Sequence, residues 1–185
     1  MTSRFVTYAG LFYGFLIVVA ALWNGLRGRS FQLLGNSVPF GVALGLLVAL
    51  GTVVLGLAVY RLVPLMREIA DELAPRLVDG ASTRDLMLLS VFSGVGEEAL
   101  FRGAVQPEFG IVVASIVFGL VHFGPDRRYL VWTAWALLAG FLFGAMYIVT
   151  GGLLAPVISH VTHNAATFLI WKRSRRNLAE DAKSQ

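Results

Sequence analysis

Six ionisable side chains occur in segments of this chain that are otherwise apolar. These side chains include all three histidines: Glu97, Glu98, Arg102, His122, His160 and His163. Ionisable groups at membrane depth are costly, and they usually face the interior of a protein or a wet cavity. Because the six belong to three separate apolar segments, we expect those segments to bring them together around one polar pocket.

The spacing of these residues indicates which of them share a helix face. Glu98 and Arg102 are four residues apart, so they lie on one face and can form an ion pair. Glu97 is turned by about 100° from Glu98 around a helix, so the two carboxylates can have different partners. His160 and Asn164 are also four residues apart, and the spacing predicts that both face the same pocket.

Two further positions complete the candidate pocket. Phe118 and His122 are four residues apart on another apolar segment, which places the histidine on a defined face. His163 is turned by roughly 60° from His160 on a helix. We therefore interpret His163 as a structural residue at the edge of the pocket or on a neighbouring helix.

These residue types predict hydrolysis by activated water. A carboxylate in an apolar pocket is suited to take a proton from water, and a histidine can position that water. A second histidine and an asparagine amide can donate hydrogen bonds to an oxyanion. No serine or cysteine is placed as an obvious nucleophile. Two histidines and a carboxylate are also the usual protein ligands of a catalytic zinc, so the residues alone permit both mechanisms.

The composition indicates that these residues are held by a membrane protein. The chain has 185 residues, of which 57% are hydrophobic and 14% charged, and its mean hydropathy is +0.73. A soluble domain of this size could not bury so much apolar surface, and two uncharged runs exceed the length of a spanning helix. We predict one transmembrane domain over residues 1–171. The absence of cysteine excludes disulfides and thiolate metal sites.

The hydrophobic pattern predicts an all-α, polytopic bundle of about six transmembrane helices. The expected spans are 5–23, 38–60, 83–106, 110–123, and two spans from 129 to 171 that are divided at 150–152. Pro107 is expected to end the third span. An amphipathic helix at 64–78 is predicted to lie on the membrane surface as a connector, with Pro75 breaking or kinking its end.

The distribution of basic residues predicts the orientation in the bilayer. With this order of spans, all Lys and Arg fall on one side except Arg27, Arg29 and the intramembrane Arg102. Basic loops stay cytoplasmic, so both termini are predicted to be cytoplasmic, and residues 172–185 form a basic cytoplasmic tail. The net charge of +4 is explained in this way, and no nucleic-acid partner is expected.

Three motifs in order resemble those of the CAAX-protease and bacteriocin-processing family of intramembrane endopeptidases. They are Glu-Glu-xxx-Arg at 97–102, Phe-xxx-His at 118–122 and His-xxx-Asn at 160–164. Each motif alone is weak, but together, on separate apolar segments, they are a strong signal. The resemblance covers about residues 83–171, and the first two spans match the family only in being hydrophobic.

The resemblance implies an endopeptidase with its site inside the bilayer. Carried over by motif, Glu97 is the general base for water and His122 is its partner. His160 and Asn164 stabilise the oxyanion, and Glu98 orients the site with Arg102. A zinc-dependent version, with His122, His160 and Glu97 as ligands, stays open beside the metal-free one.

The resemblance also implies a substrate class. Family members cleave peptide bonds of peptides or proteins, some of which are prenylated, so a lipidated substrate stays open. Two other readings compete with the protease: a non-catalytic membrane scaffold of the same fold, and a small proton-coupled transporter that relays protons through buried Glu and His. The substrate, its cleavage site and the oligomeric state cannot be read from the sequence, and neither can the choice between Glu97 and Glu98 as the base.

Overall fold

The computed structural model describes residues 3–181, and this part of the chain is helical without a β-strand. The helices are α1 (Ser3–Leu26), α2 (Val38–Leu62), α3 (Pro64–Val78), α4 (Thr83–Leu100), α5 (Gln106–Val121), α6 (Leu130–Thr150) and α7 (Leu154–Asp181). A π-helical segment, Phe101–Val105, joins α4 to α5, and a 3-10 turn, Arg127–Tyr129, precedes α6. The predicted all-α membrane bundle is confirmed.

Four helical stretches in the described chain are long and apolar enough to cross a membrane. They are Arg4–Leu26, Val38–Leu62, Thr83–Val121 and Arg127–Thr150. The third is 39 residues long, which is more than one crossing of a bilayer requires. Helix α7 is less apolar because it carries polar side chains in its first half and a basic second half.

The long third stretch reverses direction at Gly110. This glycine has φ 81° and ψ 168°, which no helix accommodates, and a positive φ of this kind favours glycine. The expectation that Pro107 ends the third span is therefore wrong. Pro107 lies in the first turn of α5, where its missing N–H is tolerated, and Gly110 makes the turn three residues later.

The close contacts give the direction of each helix. Glycines let α1 run parallel to α4, with Gly10 against Phe92, while α7 runs antiparallel to α4 so that Lys172 donates to the Ala81 carbonyl at 2.6 Å. Helix α5 is antiparallel to α6, as the contact of Gly119 with Leu137 indicates. The start of α1 and the end of α7 consequently lie at the same end of the bundle.

The part of helix α5 after Gly110 is only about half as long as the bilayer core is thick. Residues 111–121 rise roughly 16 Å at 1.5 Å per residue, whereas the hydrocarbon core is roughly 30 Å thick. The helix ends at His122, whose backbone has left the helical region with φ −93° and ψ 4°. The histidine thus lies at the end of a helix that is too short to cross the core alone.

The surface helix forms where the sequence predicts it, over Pro64–Val78. Its apolar face, which includes Met66, Ile69 and Ala70, is buried in the bundle rather than facing lipid. Pro75 does not break the helix: α3 continues to Val78, because Pro75 costs one hydrogen bond while the buried Val78 holds the last turn. The alternative, a kink at Pro75, stays a prediction.

Helix α7 extends well beyond the apolar span and includes most of the basic tail. Arg175 donates to both carboxylate oxygens of Asp79, with Nε–Oδ1 at 3.0 Å and Nη2–Oδ2 at 2.6 Å. This pair ties the tail to the α3–α4 turn. The end of the predicted tail, residues 182–185, lies outside the described residues.

Candidate active site

Glu98 is the centre of a buried ion cluster. Its side chain is fully buried, and its Oε1 atom accepts hydrogen bonds from two neighbours. Nη1 of Arg102 lies 3.1 Å from Oε1, and Nδ1 of His160 lies 2.8 Å from it. The predicted pairing of Glu98 with Arg102 is thus observed, and α7 joins it across a sequence separation of 62 residues.

The guanidinium of Arg102 is enclosed by aromatic rings and a helix backbone. Its Nη2 atom donates to the Gly140 carbonyl at 2.9 Å. Its Cζ atom lies 4.5 Å from the ring centroid of Phe118 and 5.6 Å from that of Phe143. A buried arginine needs such compensation, because removing its charge from water is expensive. Arg102 therefore joins α4, α5 and α6 around Glu98.

Arg102 lies in the π-helical segment between α4 and α5. The wider turn ends with the Gln106 N–H bonded to the Phe101 carbonyl, one residue further back than in an α-helix. Single π-turns inside α-helices often occur at functional sites. Pro107 follows directly, and its missing N–H gives a physical reason for a break in the regular ladder here.

Glu97 faces a different histidine from Glu98. Its Oε2 atom lies 3.7 Å from Nε2 of His122, which is too long for a direct hydrogen bond. On the other side of the ring, Nδ1 of His122 lies 2.7 Å from the Phe118 carbonyl. Since a carbonyl only accepts, Nδ1 carries the proton, and a neutral ring presents the Nε2 lone pair toward Glu97.

Tyr13 of α1 lies behind Glu97. Its hydroxyl interacts electrostatically with the Glu97 carboxylate. The approach is possible because Gly96 has no side chain: a Cβ there would lie 2.8 Å from the Cβ of Tyr13 and 2.9 Å from its carbonyl oxygen. Gly94 likewise leaves space for Val161 of α7. A Cβ at Gly94 would lie 2.6 Å from Cγ2 of Val161. The two glycines thus let α1 and α7 approach opposite sides of the glutamate pair.

His160 and Asn164 lie on one face of α7, as their spacing predicts. The His160 ring stacks on Phe143 with centroids 5.2 Å apart. The Glu98 carboxylate, paired with Arg102, accepts a hydrogen bond from Nδ1 of His160, so the Nε2 of that ring keeps a lone pair. The amide nitrogen of Asn164 donates to the Ser93 hydroxyl at 3.0 Å, which occupies one of its two hydrogens.

A cavity of about 80 Å³ adjoins this face of α7. Its walls include His122, His160, His163 and Asn164, together with aromatic side chains of α5 and α6. His163 is bonded through Nδ1 to the Thr52 hydroxyl at 3.0 Å. Its predicted structural role is consistent with that bond to α2, but the residue also lines the cavity.

The structure brings all six predicted site residues into one region, in two clusters. One cluster contains Glu97 and His122, and the other contains Glu98, Arg102 and His160 with Asn164 nearby. Sequence reasoning missed four contributors: Tyr13, Thr52, Ser93 and Phe143. Ser93 lies one helical turn before Glu97, and this spacing was the available signal. Tyr13 and Thr52 come from other helices and leave no local signal.

The predicted zinc set fits this arrangement only in part. His122 and His160 each use Nδ1 in a hydrogen bond to an oxygen, which leaves Nε2 with a lone pair, as in metal-binding histidines. However, no group of three His, Asp or Glu side chains within the described chain is close enough to hold a metal ion. The zinc set of His122, His160 and Glu97 stays a prediction, and no step is derived through a metal.

Comparison with known proteins finds similarity over the region that contains these residues. Residues 80–166 match a family described as type II CAAX prenyl endopeptidase Rce1-like. A stretch of 75 residues is 33% identical to the uncharacterized protein YpbD of Bacillus subtilis (strain 168). That match covers 40% of this chain and 39% of YpbD, so the chain spans well under two thirds of this relative. No solved structure matches the chain.

Proposed function

We propose that this chain, whose residues 80–166 belong to the Rce1-like family of type II CAAX prenyl endopeptidases, is an intramembrane endopeptidase that hydrolyses peptide bonds with water activated by Glu97. The family is one of membrane proteases, and the chain has helices suited to a membrane. The substrate is a peptide or a membrane-associated protein, with or without a lipid.

The observation that carries this proposal is the facing pair of Glu97 and His122. The Oε2 atom of Glu97 is buried and accepts no hydrogen bond from the described residues, and it lies 3.7 Å from a ring nitrogen that carries a lone pair. A separation of this length is suited to a water that hydrogen-bonds to both atoms. The water would donate one hydrogen bond to Oε2 of Glu97 and another to Nε2 of His122. The lone pairs on its oxygen would then point toward a substrate carbonyl.

Hydrolysis then follows from proton transfer to Glu97. The water oxygen bonds to the carbonyl carbon while its proton passes to the Glu97 carboxylate. The carbonyl oxygen becomes an oxyanion, and the second amide hydrogen of Asn164 donates to it. Glu97 returns the proton to the amine nitrogen as the C–N bond breaks. The products are a carboxylic acid and an amine, and Glu97 is restored.

Glu98, Arg102 and His160 act together in this scheme. Neutral His160 donates through Nδ1 to Glu98, so its Nε2 accepts rather than donates. Its assigned role as an oxyanion donor therefore requires a second proton on the ring. Arg102 holds Glu98 in place through an ion pair that is almost fully buried.

The decisive experiment is cleavage by a Glu97→Gln variant. Purified protein in detergent or nanodiscs is incubated with a library of quenched fluorescent peptides. Glu97→Gln keeps the shape of the side chain but cannot take a proton, so turnover should fall by about 10²- to 10⁴-fold. Glu68→Gln, an exposed change on α3, is the matched control. Undiminished cleavage by Glu97→Gln would refute the mechanism.

A further inference from the structure

A second chamber adjoins the cavity that His122 and His160 line. It has a volume of about 140 Å³ and is walled by α2, α3, α6 and α7. His163, Trp132 and Trp135 line both spaces, so these three side chains lie between the two. Anything bound at His122 and His160 could therefore extend into the chamber past the indole rings.

The lining of the chamber is suited to an apolar group. Among the described residues that form it, none is Asp, Glu, Lys or Arg. Three of the four tryptophans of the chain contribute, namely Trp132, Trp135 and Trp171. The hydrophobic effect favours transfer of an aliphatic or aromatic side chain from water into such a space. A charged or strongly polar group would lose its hydration without gaining partners.

The size of the chamber limits its occupant to one side chain. A protein cavity of about 150 Å³ holds a single benzene molecule, and the chamber has about 140 Å³. A leucine or phenylalanine side chain is of that size. A prenyl chain of several isoprene units is larger than this volume.

The surface helix α3 closes one side of the chamber. Met66 and Ala70, which are 7% and 3% exposed, present their side chains to it. Helix α3 therefore does more than connect α2 to α4, which is the role that the sequence suggests.

We infer that this chamber is a specificity subsite that takes one large apolar side chain of the substrate, such as leucine or phenylalanine, next to the scissile bond. The inference rests on the proposed function, because it assumes that a peptide lies in the adjacent cavity. The subsite selects an amino-acid side chain, and a lipid attached to the peptide would remain outside it.

Gly56 of α2 offers a direct way to narrow the chamber. A Cβ at this position would lie 3.7 Å from the Trp135 ring and 3.8 Å from Cε1 of His163, which is ordinary contact. Gly56→Val thus adds methyl groups to the chamber without a severe clash. Gly51→Val is the matched control, since a Cβ there meets nothing within 4 Å. Met66→Ala enlarges the chamber from the opposite wall.

The experiment measures binding and cleavage with one peptide series. A polar host peptide carries Ala, Val, Leu, Phe or S-farnesylcysteine at its centre, and binding to Glu97→Gln protein in nanodiscs is followed by tryptophan fluorescence. Affinity should rise by roughly fourfold per buried methylene from Ala to Leu. A farnesyl chain also partitions into lipid, so binding to nanodiscs without protein is subtracted, and the farnesyl group should then add nothing. Gly56→Val should weaken the Leu and Phe peptides at least tenfold, Met66→Ala should favour Phe, and Gly51→Val should change neither.

Two results would overturn the subsite: equal binding across the series, or strongest binding of the farnesylated peptide. An equal effect of Gly56→Val on every peptide would also refute it. Cleavage of the same peptides by the protein without these changes separates the two proposals. Size-dependent binding without cleavage retains the subsite and refutes the protease. Cleavage of the peptides without size-dependent binding retains the protease and refutes the subsite.

Discussion

Glu97 and Glu98 are neighbours in the chain, but their carboxylates contact different histidines. Glu97 faces His122 at 3.7 Å and remains 12% exposed, whereas Glu98 binds His160 at 2.8 Å and is fully buried. The helical turn of about 100° between consecutive residues separates them. Oε2 of Glu97 thus accepts no hydrogen bond from the described residues and can accept one from a water. Oε1 of Glu98 already accepts from Arg102 and His160.

Removing the charge of Glu98 should destabilise the protein more than removing that of Glu97. Glu98→Gln leaves Arg102 buried without its ionic partner, which costs about 3–5 kcal/mol in comparable cases. Thermal unfolding in detergent measures the effect. The double variant Glu98→Gln with Arg102→Met removes both charges and should recover most of the loss. If the double variant were less stable than Glu98→Gln alone, the ion-pair account would be wrong.

Tyr13→Phe should lower turnover by about tenfold while the substrate KM changes little. We predict that the Tyr13 hydroxyl donates to the Glu97 carboxylate and holds it toward His122, and a hydrogen bond to a charged group contributes about 1.5–3 kcal/mol. Steady-state kinetics with a peptide substrate provide the measurement. Tyr8→Phe is the matched control, because Tyr8 is on the same helix and is 68% exposed. Equal kinetics for both variants would show that Tyr13 does not position Glu97.

Chelation should leave peptide cleavage unchanged. The proposed mechanism assigns the proton transfer to Glu97, and the two histidines are held in separate carboxylate clusters. The assay compares protein dialysed against a strong zinc chelator with protein to which zinc is restored. Loss of activity on dialysis and its return with zinc would instead support the ligand set of His122, His160 and Glu97.

The ion pair between Asp79 and Arg175 should make the stability of the folded protein depend on pH in the acidic range. The hydrogen bond from Arg175 lowers the pKa of Asp79 below its ordinary value. A lowered folded pKa stabilises the folded state above the unfolded pKa of about 4, and this contribution is lost as the pH falls through the folded pKa.

Unfolding temperatures across pH would measure the contribution of this pair. Asp79→Asn should be less stable than the unchanged protein near neutral pH by under 1 kcal/mol, because the pair is exposed. The difference should vanish in acid. A difference that persisted at low pH would show that the charge of Asp79 is not its cause.

Both termini should be cytoplasmic. The chain contains no cysteine, so single cysteines can be introduced without background. A membrane-impermeant thiol reagent applied to intact cells should label Ser30→Cys, in the exposed α1–α2 loop, and spare Asn177→Cys, near the exposed end of α7. The opposite labelling pattern would reverse the orientation, and labelling of both would contradict the order of crossings.

Local spacing predicts the parts of the site that one helix builds. The ion pair of Glu98 and Arg102 and the shared face of His160 and Asn164 follow from a repeat of 3.6 residues. The contact of Tyr13 with Glu97 could not be predicted, because it joins distant helices and depends on the missing side chain of Gly96. A single sequence contains no record of such pairings.

In the fold as well, features set by local sequence are predicted correctly, whereas features set by tertiary packing are not. The surface helix Pro64–Val78 has the predicted bounds, and the predicted start of the fourth span coincides with the break at Gly110. The two prolines were misleading. Pro107 and Pro75 each lie within helical turns, because packing of the surrounding helix compensates one missing hydrogen bond. Propensity describes the isolated chain, and tertiary contacts override it.

The contact between Tyr13 and Gly96 has a consequence for what constitutes the smallest working unit. Residues 80–166, which match the family, contain Glu97, Glu98, Arg102, His122, His160 and Asn164, but a fragment limited to them would lack the helix that packs against Gly96. The Tyr13 side chain that fills the space at Gly96 would be missing, and with it the hydroxyl that interacts with the carboxylate. If the proposed function is correct, the first helix therefore belongs to the smallest working unit, and any swap of the motif region between relatives has to carry a compatible first helix with it.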